Sequence, residues 1–322
     1  MRRWLLVAVA AAVTVAFTAL AVRGSHPQDV LDAIRDSDPA WLVPALLTLA
    51  LGVWLRAVRW RALFSAGRRP PLWPTTASLL VGYFFSTILP LRAGEAARVV
   101  ALHQRAGTSR AESAGTAVIE RVYDLVAMLA ILFVLLPWLP EVTWVRAAAA
   151  VGAALLAVVA VAVVVLAVWG DRAVHAVMRP FGILPIVPTD RLEEIGHNLA
   201  HGLAGLRQPV TALWAFALTV VSWFVLGVST WFVFVAFDLG LSPAAGTFAI
   251  VATGFAAVLP SGPSGVGVFE AAVVVALRAY GIDDSTALSA ALVLHAVQSL
   301  PFIVAGLAVM RFHVRATARA RA

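Results

Sequence analysis

"LPSGPSGVGVFEAA" (residues 259–272) interrupts one of the most apolar parts of the chain with helix breakers, hydroxyls and a carboxylate. The 322 residues are 61% hydrophobic with a mean hydropathy of +0.92, well beyond the half-apolar balance of ordinary soluble domains. Apolar runs long enough to cross about 30 Å of hydrocarbon as helix recur from end to end. Irregular backbone at that depth leaves N–H and C=O groups unpaired at a cost of several kcal/mol each. It is tolerated only where it is buried in protein or lines a wet cavity. The stretch therefore predicts a broken helix beside an internal polar chamber.

Working outward, residues 243–259 run into this motif from a short loop at 238–242, and 264–280 leave it for "YGIDD". Asp283 and Asp284 share the acidic character of the other segments read as external, 23–39 above all, so this hairpin (243–280) enters from outside. A second break lies at Pro90, where an apolar run 74–90 meets "LRAGEAARVVALHQR". A full crossing there would strand Arg92, Arg98, Arg105 and Arg110 outside, against the positive-inside rule. A re-entrant hairpin over 74–106, entering from the cytoplasm, removes the conflict.

The remaining apolar runs, 4–22, 40–64, 112–138, 143–169, 211–238 and 285–310, read as full spans. The first also resembles a secretory signal around Ala19-Leu20-Ala21, but its length favours a retained helix. Arg56, Arg59, Arg61, Arg68 and Arg69 mark a cytoplasmic end, and 170–210 reads as a cytoplasmic, partly amphipathic surface segment. The expected fold is a single all-α polytopic membrane domain over 1–322, with six full spans and two oppositely oriented re-entrant hairpins. Both termini are expected on the cytoplasmic side of the cytoplasmic membrane. The tips "ILPLRAGE" (88–95) and "VLPSGPSGVGVFE" (258–270) share Leu-Pro, glycine and glutamate, consistent with an inverted repeat like those of secondary transporters.

Composition narrows the chemistry. The net charge of +7 comes from arginine alone, with no lysine, and a membrane protein places such charge on its cytoplasmic face, so the basicity does not argue for nucleic acid. Without cysteine there is no disulfide, thiolate metal site or cysteine nucleophile. His197 and His201 have i, i+4 spacing but lack the glutamate of a zinc-protease helix, and "GVGVFE" lacks the strands of a dinucleotide site. No serine nucleophile elbow is visible, and no catalytic residue, metal or cofactor is expected.

The candidate binding residues fall at the two tips and on the helix between the hairpins. Ser261, Gly262, Pro263, Ser264, Gly265 and Gly267 make up the second tip; its glycines expose amide N–H groups, and a helix starting near Ser264 would aim its positive end at an anion. Close packing of small residues is the plainer reading of those glycines. Glu270, one to two turns into that helix, is open to proton coupling, binding a cationic head group, or a structural ion pair. At the first tip Arg92 offers a fork for phosphate oxygens beside Gly94, Glu95 can orient it, and Arg98 stands one turn on, placed to pair with Glu95. In "ERVYD", Glu120 and Asp124 share one face of a long helix, with Arg121 a hundred degrees round. Charges so far into an apolar span face the bundle interior unless they sit at the interface. His295, Gln298 and Pro301 of the last span line the chamber or pack.

The motifs "RAVRWRALF" (56–64), "LPLRAGEAAR" (89–98), "ERVYDL" (120–125) and "PSGVGVFE" (263–270) together resemble the lysylphosphatidylglycerol synthase membrane-domain family, also called flippase-like. The resemblance implies a polytopic domain associated, in aminoacyl-phospholipid synthases, with moving modified lipid between leaflets. It points to Arg92, Gly94, Glu95, Arg98, Glu120, Arg121, Asp124, Pro263, Gly265, Gly267 and Glu270. Ser264 departs from the family's frequent Pro-Gly-Gly run, and Ser86-Thr87 from its frequent asparagine. No soluble synthetase domain follows in this sequence, so aminoacyl transfer by this chain alone is not expected. The sequence thus points to a non-enzymatic translocase of anionic phospholipid or polyprenyl-phosphate lipid. The alternatives are an enzyme or subunit of a lipid-modifying system with Glu270 or Asp124 as base, and a structural partner for a separately encoded lipid-modifying enzyme. Expected partners are membrane lipids, with a homo-oligomer left open.

Overall fold

The computed structural model describes residues 2–65, 67–89, 93–140, 152, 154 and 209–319. Within them the chain is helical, with no strand: α1 (Arg2–Val22), α2 (Pro27–Asp36), α3 (Leu42–Ala62), α4 (Leu72–Ile88), α5 (Gly94–Ala106), α6 (Arg110–Leu135), α7 (Pro209–Ala236), α8 (Pro243–Ala256), α9 (Val268–Arg278) and α10 (Asp284–Arg319). All but two residues of the expected crossing at 143–169, nearly all of the surface segment 170–210 with His197 and His201, and Pro90 with Arg92 lie outside the described residues.

Among the described residues Pro39–Ala62, Val210–Ala236 and Asp284–Arg311 are long and apolar enough to cross a bilayer. The 26 residues of α6 span about 39 Å, but its charged face dilutes the apolar signal. The outer faces of these helices are apolar: Leu47, Phe133, Leu213 and Val304 are all exposed. Large apolar side chains on the outside and charges within invert the arrangement of a soluble bundle, as a hydrocarbon solvent requires. Exposed Trp41, Trp73, Trp138 and Trp214 sit at or near helix ends, where an amphipathic ring meets the head-group layer.

Both elements read as broken from sequence are short helix pairs. α4 and α5 have 17 and 13 residues and α8 and α9 have 14 and 11, about 26, 20, 21 and 17 Å, each short of about 30 Å. Hydrogen bonds and packing place their feet. At one end Asp38 N–H donates to the Ala236 carbonyl (2.8 Å), His26 N–H to Ser285 Oγ (3.1 Å) and Arg278 Nη2 to the Arg23 carbonyl (2.8 Å). The end of α9 and the starts of α3 and α10 are therefore neighbours, together with the loop into α8. At the other end Arg61 Nε donates to the Pro70 carbonyl (2.9 Å) and Trp60 Nε1 to Thr116 Oγ1 (3.0 Å), gathering the end of α3 with the starts of α4 and α6. The first end carries Asp29, Asp32, Asp36, Asp38, Asp238, Asp283 and Asp284, and arginines crowd the second.

Three sequence expectations need correction. Residues 23–39 are not a plain loop: 27–36 form α2, bent 74° from α1, with Pro27 at its first position and Val30 buried. The second broken helix starts at Val268 rather than near Ser264, because Pro263–Gly265 forms a separate 3-10 turn with Ser264 at φ +57° and Gly267 at φ +82°. The last helix, α10, runs on past the crossing read as 285–310 to Arg319.

Close approach of small residues seats the first hairpin. A Cβ at Gly94 would fall on the Gly82 carbonyl oxygen and on Ser86 of α4. Gly94→Val is expected to prise α4 from α5 and to lower stability by about 1–3 kcal/mol, read as a drop in the thermal midpoint in detergent; an unchanged midpoint would show that the two helices need not touch.

At the acidic end Asp283 accepts the Thr286 N–H at 3.0 Å, an N-terminal cap for α10. That bond, with smaller help from neighbouring amides against slight burial, holds its carboxyl below the ordinary range. A depressed carboxyl stabilises the fold above its unfolded value, and the gain is lost as pH falls through the folded one. Asp283→Ala should therefore cost about 1 kcal/mol at neutral pH, a difference that closes below about pH 4; melting curves of the two proteins from pH 7 to pH 3 measure it.

Candidate functional site

Both tips open on one cavity of about 500 Å³. Ser86, Thr87, Gly94 and Glu95 line it from the first hairpin and Pro260, Ser261, Gly262, Ser264 and Gly265 from the second. Helices α3 and α6 add Arg56, Arg59, Glu120, Arg121 and Asp124, and α10 adds His295, Gln298 and Ser299.

One wall is an ion-pair chain. Arg59, buried on α3, sets Nη2 2.9 Å from Glu120 Oε1 and Nη1 against Asp124 Oδ1. Arg98, equally buried, pairs with Glu120 Oε2 (2.6 Å) and with Glu95 Oε2 (2.7 Å). Arg121, half exposed, joins Glu95 Oε1 to Asp124 Oδ2, the latter at 3.6 Å. Indoles frame the chain: Trp223 Nε1 donates to Asp124 at 3.2 Å, and the Arg98 guanidinium lies 4.7 Å from the Trp60 ring centroid. Charges this deep persist only when each finds a partner, and the i, i+4 spacing of Glu120 and Asp124 presents two carboxylates to one guanidinium.

Arg56 stands apart. Its guanidinium lies 4.9 Å from the Trp223 ring and Nη1 reaches the Tyr83 hydroxyl at 3.5 Å. Nε is buried without a hydrogen-bond partner, and among the described residues the group acts on Asp124 through space rather than by a direct ion pair. Arg56, Arg59, Arg98 and Arg121 against Glu95, Glu120 and Asp124 leave the wall one positive charge in excess.

Another part of the lining is a chain of hydrogen bonds through the second tip. Glu270 lies in the first turn of α9, closer to its start than the sequence spacing indicated, and its Oε2 accepts the Gly267 N–H at 2.7 Å. Its Oε1 meets His295 Nδ1 (2.5 Å), and His295 Nε2 meets Ser264 Oγ (2.7 Å). The Phe269 ring lies 4.6 Å from the imidazole. Helix α1 holds the loop from behind: Thr14 Oγ1 accepts the Gly262 N–H at 2.9 Å, and a Cβ at Gly267 would strike Thr18 Oγ1 and the Thr14 carbonyl. Serine at φ +57° costs about 1 kcal/mol or more relative to ordinary backbone.

The amides assigned to an anion are largely spoken for. Gly265 N–H donates to the Gly262 carbonyl and Val266 N–H to that of Pro263, while those of Gly262 and Gly267 are held by Thr14 and Glu270. The positive charge of this chamber is therefore in the arginine wall rather than the glycine loop. Gly94, Glu95, Arg98, Glu120, Arg121, Asp124 and the 261–265 loop come together as expected, with Glu270 behind the loop; Arg92 lies outside the described residues, and Pro301 is not in the lining. Sequence reasoning took Arg56 and Arg59 only as topology markers. Their i, i+3 spacing inside an apolar helix, with buried Trp60 beside them, was the available signal.

Buried charge between two broken helix pairs, inside a bundle with an apolar exterior, defines a multi-pass α-helical membrane protein with an internal polar chamber. Residues 5–306 match the family described as lysylphosphatidylglycerol synthase TM region, and the chain belongs to that family. It is similar to "UPF0104 membrane protein MJ1078" of Methanocaldococcus jannaschii, 27% identical over 223 residues covering 69% of this chain and 91% of that protein. It is also similar to "Glycosyltransferase AglD" of Haloferax volcanii, 25% identical over 337 residues covering 92% of this chain and 53% of AglD. The chain thus spans about half the length of AglD.

Proposed function

We propose that the protein moves an anionic lipid, a phospholipid or a polyprenyl-phosphate-linked lipid, between leaflets of the cytoplasmic membrane. The observation that carries the reading is that both tips open on one chamber whose wall holds four arginines, Arg56, Arg59, Arg98 and Arg121, against three carboxylates, with the Nε of Arg56 buried and without a hydrogen-bond partner. Helix pairs too short to cross, with feet at opposite ends of the bundle, support re-entrant hairpins of opposite sense, the arrangement that places a substrate site near a bilayer midplane. The acidic end then faces outward and the arginine-rich end, with both termini, the cytoplasm. A head group with one net negative charge balances the wall while its acyl chains remain in the bilayer.

In liposomes the protein should move fluorescent phosphatidylglycerol between leaflets faster than protein-free vesicles do, and Arg56→Ala should slow it about tenfold or more, the worth of a charge-assisted hydrogen bond. Phosphatidylcholine, whose head group has no net charge, should be unaffected by the substitution. Wild-type transfer no faster than in empty vesicles would reject the reading. The second reading, a membrane subunit of a glycosyl- or aminoacyl-lipid system, draws on the name of AglD and on the family description. A head group altered without leaflet transfer, when a separately encoded lipid-modifying enzyme is supplied, would favour it.

A further inference from the structure

The hydrogen-bond chain Ser264–His295–Glu270 is not needed for charge balance in the chamber, yet it crosses two elements and ends on a hydroxyl at the cavity surface. The polarity of the chain follows from its ends. Glu270 Oε2 already accepts the Gly267 N–H, so its carboxylate acts as acceptor and His295 Nδ1 carries the proton shared with Oε1. His295 Nε2 is then the bare nitrogen, and at 2.7 Å it accepts the Ser264 O–H. Hydroxyl, imidazole and carboxylate in this order, with the base oriented by the carboxylate, are the parts of an activated serine nucleophile.

Two further features fit a reacting group. Ser264 holds a left-handed backbone that glycine would adopt without strain, so the position costs stability and in return presents a hydroxyl to the chamber. Gln298, one turn from His295 on α10, lines the same cavity, and its Nε2 is buried without a hydrogen-bond partner. That amide is a donor free for an oxyanion.

We propose that Ser264 and His295 are catalytic residues for acyl transfer from a carboxylic ester of a membrane lipid, with Glu270 as the positioning residue. Ser264 Oγ bonds to the ester carbonyl carbon as its proton passes to His295 Nε2. The oxyanion meets the Gln298 amide, and the C–O bond to the lipid alcohol breaks as that oxygen takes the proton from Nε2. Water, or a second lipid alcohol, then attacks the acyl-serine carbonyl, its proton passing through Nε2 back to Ser264 Oγ as the ester bond to the enzyme breaks. No oxidant or metal is needed for the balance. The arginine wall of the same chamber faces the anionic part of the lipid, a few bonds from its esters. This activity does not rest on leaflet transfer, which is read by a separate assay.

The full-length protein in detergent, treated with a fluorophosphonate, should be labelled at Ser264 with loss of fluoride, as located by peptide mass spectrometry. Heat-denatured protein and Ser264→Ala should not be labelled there, and His295→Asn should label at least tenfold more slowly. Absence of labelling at Ser264 in folded protein, or equal rates with and without His295, would reduce the chain to a structural hydrogen-bond network and overturn the proposal. Because the chain has no cysteine, Ser264→Cys supplies a unique thiol. Its alkylation by iodoacetamide should also slow at least tenfold when His295→Asn is added, and an unchanged rate counts against the triad. Vesicles of phosphatidylglycerol and lysylphosphatidylglycerol then identify the ester: release of fatty acid assigns the glycerol ester and release of lysine the head-group ester. Turnover of neither by wild-type protein that does label would overturn the assignment to a lipid ester.

Discussion

Arg59→Met is expected to destabilise the fold by about 3–5 kcal/mol, because it leaves two buried carboxylates, Glu120 and Asp124, facing each other across one helical turn without the cation between them. Methionine keeps most of the packing volume, so the loss reports charge rather than a cavity. The same substitution combined with Glu120→Gln and Asp124→Asn should recover much of the loss, since neutral side chains carry a far smaller desolvation cost. Unfolding midpoints of the single and triple variants in one detergent decide this. A triple variant less stable than the single one would mean that Arg98 and Arg121 depend on those carboxylates more than Arg59 does. Salt should change the result little, because these groups are out of reach of mobile ions.

Glu270→Gln carries the second large effect. Both oxygens of the carboxylate are used as acceptors, one by Gly267 N–H and one by the His295 ring. A glutamine has a single carbonyl oxygen, so with that oxygen on Gly267 N–H its NH₂ faces His295 Nδ1, which must become the bare nitrogen and reverse the bond to Ser264. The exchange replaces charge-assisted hydrogen bonds by neutral ones and should cost about 1–3 kcal/mol. The coupling is measurable as a double-mutant cycle with His295→Phe, and should be about 1 kcal/mol or more. Additive effects of the two substitutions would show that the contact contributes nothing to holding the tip.

Much of this architecture was legible in the sequence, for a specific reason. Pro, Gly and charge inside apolar runs are expensive enough in hydrocarbon that their placement identifies broken helices and an internal chamber. Glu95 with Arg98, and Glu120 with Asp124, were readable because helical spacing alone puts them on one face. What was not legible depends on long-range packing. Ser264 and His295 are 31 residues apart, and nothing local predicts that a serine in a turn meets an imidazole in the last helix. The start of α9 was misplaced for a related reason: proline and glycine signal a break, but where helix resumes is decided by Glu270 reaching back to Gly267. The arginines of "RAVRWR" fit the positive-inside rule so well that the rule hid their second role, with Arg59 drawn inward by carboxylates 61 and 65 residues further along.

The grip of the first helix on the glycine loop has its own corollary. Thr14 and Thr18 are the floor on which residues 262–267 rest, so any gating motion of that loop must either carry α1 along as one rigid piece or slide across it. The amino-terminal helix and the loop are thereby mechanically coupled. Under the lipid passage proposed above, a short covalent link between the two should slow transfer if the loop slides over α1 and leave it unchanged if they travel together.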